Sequence, residues 1–297
     1  MSLAVAYLAL VLIWATTPLG VQWSNDSLSP LAAVLSRMVL AWILVAPLCM
    51  VMRTGALNLK QNWRLYAAAS LGLFPNMPLV NTAAHYIPSG LIALIFGMSP
   101  FIVALLSWWI LDEKYMNPRR YLALAVSLAG LGILFREHIQ ADTMALKGIA
   151  LMLVSITLFS ISAVLVKRYH TRVHSLTQVS GSLLFALPGL ALSWLVMDGV
   201  WPVHLSERSA WSVVYLSSVG SVVGYLIYFY LLRVMTASAV SAVALVSPML
   251  AMWIGVWLNH EPMSSGILFG SGLVLGGLWL FSGLFLGSSG LDKEGKY

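Results

Sequence analysis

Charge is scarce in this sequence, and acidic charge is absent where it would do chemistry. Only 9% of the 297 residues are Asp, Glu, Lys or Arg, against about 25% in an ordinary soluble domain. None of the ten acids falls inside an apolar run; all lie in connections, at run ends or in the tail. That excludes the acid pairs and carboxylate-based metal sets of intramembrane hydrolases, and the runs carry no HExxH and no Ser–His constellation. His138, His170, His174, His204 and His260 lie in connections or at run ends without ligand spacing. Cysteine is reduced to Cys49, which excludes an internal disulfide and a CxxC metal site. Neither an enzyme nor a cofactor is expected.

What the chain has instead is hydrocarbon. It is 60% hydrophobic, and the apolar residues come in runs of roughly 20, enough to cross a hydrocarbon layer about 30 Å thick. The expected spans are 3–22, 30–52, 63–84, 88–111, 118–135, 145–166, 175–197, 210–232, 236–258 and 264–287. The fold class is an all-α membrane protein of ten transmembrane helices, with the lipid bilayer as its main partner. A cleaved leader would need a basic start, a shorter apolar core and a cleavage site. The opening "MSLAVAYLALVLIWATTPLG" has no Lys or Arg and runs to spanning length, so it reads as the first helix.

The net charge of +6 invites a nucleic-acid reading, but its distribution answers otherwise. Alternate connections and the tail hold 12 Lys and Arg, the opposite connections hold Arg136, Lys147 and Arg208, and Arg37 lies inside the second span. This is an orientation signal, which places both termini in the cytoplasm. No nucleic-acid partner is expected.

At an offset of 148 residues Trp63 matches Trp211, Gly72 matches Gly220, and Ser99-Pro100 matches Ser247-Pro248; Trp109 matches Trp257, and Glu113 matches Glu261. The chain therefore divides into two five-helix repeats, 1–140 and 141–287, followed by a polar tail, 288–297. Five is odd, so the second repeat enters the membrane inverted. Inverted repeats are a secondary-transporter architecture, with the substrate site at their interface near mid-membrane. Pro100 and Pro248 each lie about 18 Å along their span at 1.5 Å per residue. Each removes an N–H and frees a carbonyl one turn earlier, that of Phe96 or Ala244. In lipid such breaks are tolerated against protein or a wet cavity. A packed kink is the alternative for either proline alone.

These features resemble the drug/metabolite transporter superfamily, and within it the ten-helix EamA-type members. The resemblance rests on "WATTPLGVQW", on "SPLAAVLSRMVLA" with Arg37, on "MSPFIVALLSWWILDEKYMNPRRYLALAVSLAGLGIL" and on its repeat "VSPMLAMWIGVWLNHEPMSSGILFGSGLVLGGLWLF". It covers nearly the whole chain and implies alternating access around a central cavity, in a bacterial inner (plasma) membrane. The four-helix relatives of this superfamily drive export with a membrane-embedded Glu. No such residue stands in these spans, which points to facilitated diffusion, exchange or another coupling.

The candidate substrate-binding residues follow from what interrupts the spans. Arg37 lies about 10 Å below the outer surface; an intramembrane Arg is costly and a functional candidate. It can hold a substrate carboxylate by a bidentate fork, or it can serve structure by snorkelling or pairing with Asp26. Pro75 and Pro78 bracket Asn76, with Asn81 beyond, a helix break with amides suited to a zwitterionic solute. Trp14 and Thr17 sit beside Pro18; Tyr225 and Tyr228 follow Gly220 and Gly224. These rings can stack a solute or cage a quaternary amine. Phe96, Ser99, Phe159, Ser160, Gln178 and Ser247 complete the list, with Pro18, Pro75, Pro78, Pro100 and Pro248 as hinges. No metal ligands are expected. Trp23, Trp63, Trp201 and Trp211 suit an interfacial belt, and the glycines of the last span suit packing or a homodimer contact.

A channel would show rings of charge or a carbonyl filter, and neither is visible. The expectation is a secondary transporter of a small polar or zwitterionic, amino-acid-like metabolite, moved outward. A carrier of a quaternary amine, and a channel-like scaffold, are the alternatives.

Overall fold

A computed structural model of the chain describes residues 3–55, 57–112, 118–141, 144–169, 173–237, 240, 243, 247–261 and 264–286. Every regular element among them is helical. The chain opens with α1 (Leu3–Ser24) and α2 (Pro30–Val51). α2 starts where Ser29 accepts from the Ala32 N–H and Pro30 fills a position that needs no donor. Pro18 lies within α1 without ending it. One turn earlier, the Thr17 hydroxyl donates to the Ile13 carbonyl at 2.7 Å and Thr16 reaches the Leu12 carbonyl at 3.2 Å. Both hydroxyls are thus satisfied within the helix, as an apolar surrounding demands.

The following elements are α3 (Leu59–Ser70), α4 (Asn76–Ala83), α5 (Ser89–Phe96), α6 (Ser99–Leu111), α7 (Pro118–Ala141), α8 (Ala145–Arg168) and α9 (Ser175–Met197). Then α10 (Glu207–Tyr215) runs into a π-helical stretch, Leu216–Val223, and on into α11 (Gly224–Val234). The last two are α12 (Ser247–Asn259) and α13 (Ser265–Leu286). Among the described residues six stretches are long and apolar enough to cross a membrane: α1, α2, α5 with α6, α8, α9, and α10 through α11. Shorter apolar helices cover Tyr121–Leu134, Leu250–Asn259 and Ser265–Gly277.

Several expectations need correction. The span expected at 63–84 begins at Leu59 and is two helices, divided at Leu71–Pro75. Pro75 stands at that division, but Pro78 is the third residue of α4, a first-turn position that tolerates proline. The fourth span divides at Gly97–Met98, so Pro100 is the second residue of α6 rather than the centre of a kinked helix. The fifth continues to Ala141. The π stretch was not expected at all. The polar tail, Glu113 and Ala244 lie outside the described residues, as does the approach to Ser247.

Local structure recurs 148 residues on. α6 spans Ser99–Leu111 and α12 spans Ser247–Asn259; α4 begins at Asn76 and α11 at Gly224. Asp112 and His260, the residues after α6 and α12, both take positive φ, 55° and 51°. Trp109 and Trp257 are equally exposed, at 79%. Helices of one half pack on the other: α6 and α4 on α8, α12 on α1 and α5, α2 on α9 and the π stretch. One buried cluster gathers α1, α2, α3, α9 and α11 around Leu10, Met38, Val179 and Leu231. A second gathers α5, α6, α7 and α8 around Ile95, Ala104, Leu134 and Met152. Phe96 packs against both.

α7 and α13 pair closely. A Cβ on Gly130 would lie 2.5 Å from the Gly270 carbonyl oxygen, and one on Gly270 would lie 2.9 Å from Leu134. These glycines bring two helices of the same chain together, whereas Gly272 and Gly276 face open space.

Candidate functional site

Between the two buried clusters lies a cavity of about 80 Å³, enough for several waters at 10–15 Å³ each. Several elements reach it near a break in their helix. α1 contributes Trp14, Thr17, Pro18 and Val21; α4 contributes Met77 and Val80, just past the α3–α4 division. α5 contributes Ile92, Ala93 and Phe96, its last residue before the Gly97–Met98 division. From the second half come Phe159 of α8, Gly220 of the π stretch, Tyr225 of α11 and Ser247 of α12. α2 supplies one residue, Arg37.

Arg37 is the charged member of this lining, and only 2% of it is exposed. Its Nε donates to the Ser221 hydroxyl at 2.9 Å. Ser221 is presented by the π stretch, whose widened turn points side chains where an α-helix would not. Nη1 is buried with no hydrogen-bond partner among the described residues. Asp26, the partner considered from sequence, is instead 3.4 Å from Arg208. Arg37 therefore does not snorkel, and Asp26 does not neutralise it.

One wall is aromatic. Phe159 is its hub, edge-on to Trp14 at 5.7 Å and to Phe96 at 5.5 Å, and stacked on Tyr228 at 5.5 Å. Such pairs add about 0.5–1.5 kcal/mol each beyond the area they bury. Tyr228 stands behind the wall rather than on the cavity, and its hydroxyl is buried without a partner among the described residues.

A polar lock lies one turn from the cavity, where α1 ends and α5 begins. The Glu261 carboxylate accepts from the Ser89 N–H at 3.0 Å, the Ser89 hydroxyl at 2.5 Å and the Gly90 N–H at 3.2 Å. These are the unsatisfied donors of a helix N-terminus, where negative charge is favoured. Asn259 donates to Glu261 at 3.3 Å and to the Gln22 side chain at 3.0 Å, while the Trp23 indole donates to Asn259 at 3.1 Å. Gln22 follows Val21, and Ser89 precedes Ile92 by one turn, so the lock and the cavity share α1 and α5. Trp23 belongs to this lock rather than to an interfacial belt; Trp63, Trp201 and Trp211 are more than half exposed.

The cavity thus gathers Trp14, Thr17, Arg37, Phe96, Phe159, Tyr225 and Ser247, with Pro18, from the residues singled out by sequence. It does not gather the others. Asn76 donates to the Gly72 carbonyl at 2.9 Å and accepts from Ser155 at 2.5 Å, tying the α3–α4 division to α8. Asn81 donates to the Met77 carbonyl and Ser160 to the Ile156 carbonyl, each within its own helix. Ser99 is buried without a partner, and Gln178 lies near the start of α9, both away from the lining. Met77 was missed, although it stands 148 residues before Tyr225 and the repeat pointed to it. Val21, Val80, Ile92 and Ala93 carry no sequence signal.

Comparison with known proteins gives a consistent result. The model of the EamA-like transporter family matches residues 1–136 and 146–283. The chain is 25% identical over 271 residues to an uncharacterized transporter of Archaeoglobus fulgidus, covering 91% of this chain and 95% of that one. It is 24% identical over 276 residues to the uncharacterized transporter YvbV of Bacillus subtilis, covering 90% and 87%. Protein PecM of Dickeya dadantii is 23% identical over 260 residues, covering 87% and 84%. A solved crystal structure superposes with a TM-score of 0.73 at 18% identity, covering 96% of this chain and 98% of the other, a likeness of fold.

Proposed function

The chain belongs to the EamA-like transporter family and is a multi-pass membrane protein, and on that premise we propose that it is a secondary transporter exporting a small polar or zwitterionic, amino-acid-like metabolite by alternating access. The observation that carries this reading is the cavity lined by helices of both halves and holding a buried arginine against an aromatic wall. Two inverted five-helix repeats, ten spans in all with cytoplasmic termini, account for the recurrence of α6 in α12, for the paired positive φ of Asp112 and His260, and for the two matched segments. Access to the site then alternates by rocking one repeat against the other.

In this reading the Glu261 lock closes the outer mouth. The cavity lining contains no Asp or Glu among the described residues, so the substrate's own gradient drives the cycle. For a metabolite made inside the cell that gradient points outward.

The test is counterflow in proteoliposomes with labelled amino acids, amines and nucleosides, each against its unlabelled form. Transient accumulation of an amino acid is expected. Protein that is folded yet exchanges no solute of any class would end the transporter reading. Thiol labelling of cysteines placed at Asp112 and His260 should report opposite faces of the membrane; reaction of both from one face would remove the inverted repeat.

A further inference from the structure

We infer that the cavity selects its ligand by a single carboxylate seated on Arg37, with an apolar body against the aromatic wall, and that an amino group on the ligand is not required. The inference rests on the transporter reading and names the substrate class of that same site.

The argument begins with an unfinished hydrogen-bond set. A guanidinium offers five N–H donors in a planar fork. Arg37 is 98% removed from solvent by its 2% exposure, uses Nε on Ser221, and leaves Nη1 with no partner among the described residues. Buried charge without a counter-charge is among the costliest arrangements a membrane protein can hold. Three of the acids are committed elsewhere. Asp26 pairs with Arg208, Asp198 accepts from Ser29, and Glu261 is held by Ser89, Gly90 and Asn259. The missing partner is therefore supplied from the cavity.

Space is kept for it. Gly220 lines the cavity beside the guanidinium, and a Cβ there would lie 3.5 Å from Arg37 Nη2. The absence of a side chain leaves the fork open on that side. A carboxylate meets such a fork with two parallel hydrogen bonds, and its single charge balances the single charge of Arg37. A ligand ammonium has no charged equivalent: no Asp or Glu lines the cavity among the described residues, which offer a cation the ring faces of Trp14, Phe96, Phe159 and Tyr225 and the hydroxyls of Thr17 and Ser247. The substrate class is the small monocarboxylates with a branched or aromatic body, amino acids among them.

Four matched compounds separate the possibilities: leucine, 4-methylpentanoate, leucinamide and 3-methylbutylamine. Each is tested as an inhibitor of leucine counterflow in proteoliposomes and as a ligand of the purified protein by calorimetry. Leucine and 4-methylpentanoate should bind within roughly threefold of each other, whereas leucinamide and 3-methylbutylamine should bind about 10- to 100-fold more weakly, the worth of a hydrogen-bonded charge. In Arg37→Gln that discrimination should collapse, with leucinamide approaching leucine. A purely structural arginine would weaken all four alike. Amines that bind as well as the carboxylates in the wild-type protein overturn the inference and leave the transporter reading intact. Folded protein that neither binds nor exchanges any of the four also overturns the inference, while the transporter reading is decided separately by the counterflow panel of amino acids, amines and nucleosides. The wild-type series stands even where Arg37→Gln does not fold.

Discussion

Replacing Glu261 by Gln should open the outer mouth. The carboxylate holds four donors across the two halves: Oε1 accepts from the Ser89 N–H, the Ser89 hydroxyl and Asn259, and Oε2 accepts from the Gly90 N–H. A glutamine that keeps its oxygen toward Ser89 turns an NH2 group onto the Gly90 N–H. One charge-assisted bond is lost, at about 1.5–3 kcal/mol, and a buried donor is left unsatisfied at about 1–3 kcal/mol. Some of this is recovered by water entering the opened mouth, so roughly 3 kcal/mol is the working value, a factor of about a hundred in the closed-to-open ratio. The assay follows a cysteine at Val21, on the cavity, in a Cys49→Ala background. Its rate of modification by a membrane-impermeant thiol reagent reads the fraction open. The rate should rise about a hundredfold in Glu261→Gln, while a control cysteine at Val203, 91% exposed in the connection between α9 and α10, should not change. An unchanged rate at Val21 in folded protein, or an equal rise at both positions, would refute the role of Glu261 as a closing contact.

Other substitutions test the packing behind the site. Phe159→Ala removes the ring that joins Trp14, Phe96 and Tyr228; a loss of about 3–5 kcal/mol is expected, read as a lowered unfolding midpoint with counterflow abolished. Ser155→Ala leaves the Asn76 side-chain oxygen without its 2.5 Å donor; this should cost about 1–3 kcal/mol in thermal stability with ligand selectivity unchanged, because Asn76 does not line the cavity. Gly130→Ala drives a methyl group against the Gly270 carbonyl, and since backbone yields little, about 1–3 kcal/mol of stability should be lost. A chemical-denaturation series on the purified protein would report it.

The long uninterrupted helices were plain in the sequence: runs expected at 3–22, 30–52, 145–166 and 175–197 became α1, α2, α8 and α9 with ends shifted by two residues or fewer. Run length and flanking polar residues fix such boundaries because the bilayer sets a minimum length. Breaks were legible by region but not by position. Proline marks a place where a helix cannot continue unchanged, yet Pro100 and Pro78 sit comfortably in first turns, while the chain actually turns at Gly97–Met98 and Leu71–Pro75. The π stretch had no signal, since "LSSVGSVV" offers the same apolar and small residues as an α-helix of this kind. The site was half legible for a physical reason. A polar side chain in an apolar run must find a partner, and a carbonyl three or four residues back is always within reach. Asn76, Asn81 and Ser160 take that local route, and nothing in their sequence separates them from Thr17 or Ser247, which reach the cavity. Arg37 stood out because no backbone carbonyl can neutralise it.

The two halves place equivalent positions on one cavity and then differ there. Met77 and Tyr225 stand 148 residues apart and both line it, as a thioether and a phenol. Arg37 has no charged counterpart 148 residues on, where Phe185 stands. A site with full two-fold symmetry would need two cations or none; two would repel each other across so small a space, and none would leave no anchor for an anion. A single arginine on α2, braced by Ser221, puts the charge to one side of the pseudo-axis. In the proposed cycle access would alternate between two mouths while the ligand's charged end keeps the same partner. Selectivity would then follow from where the two halves depart from each other, and alternation from where they agree.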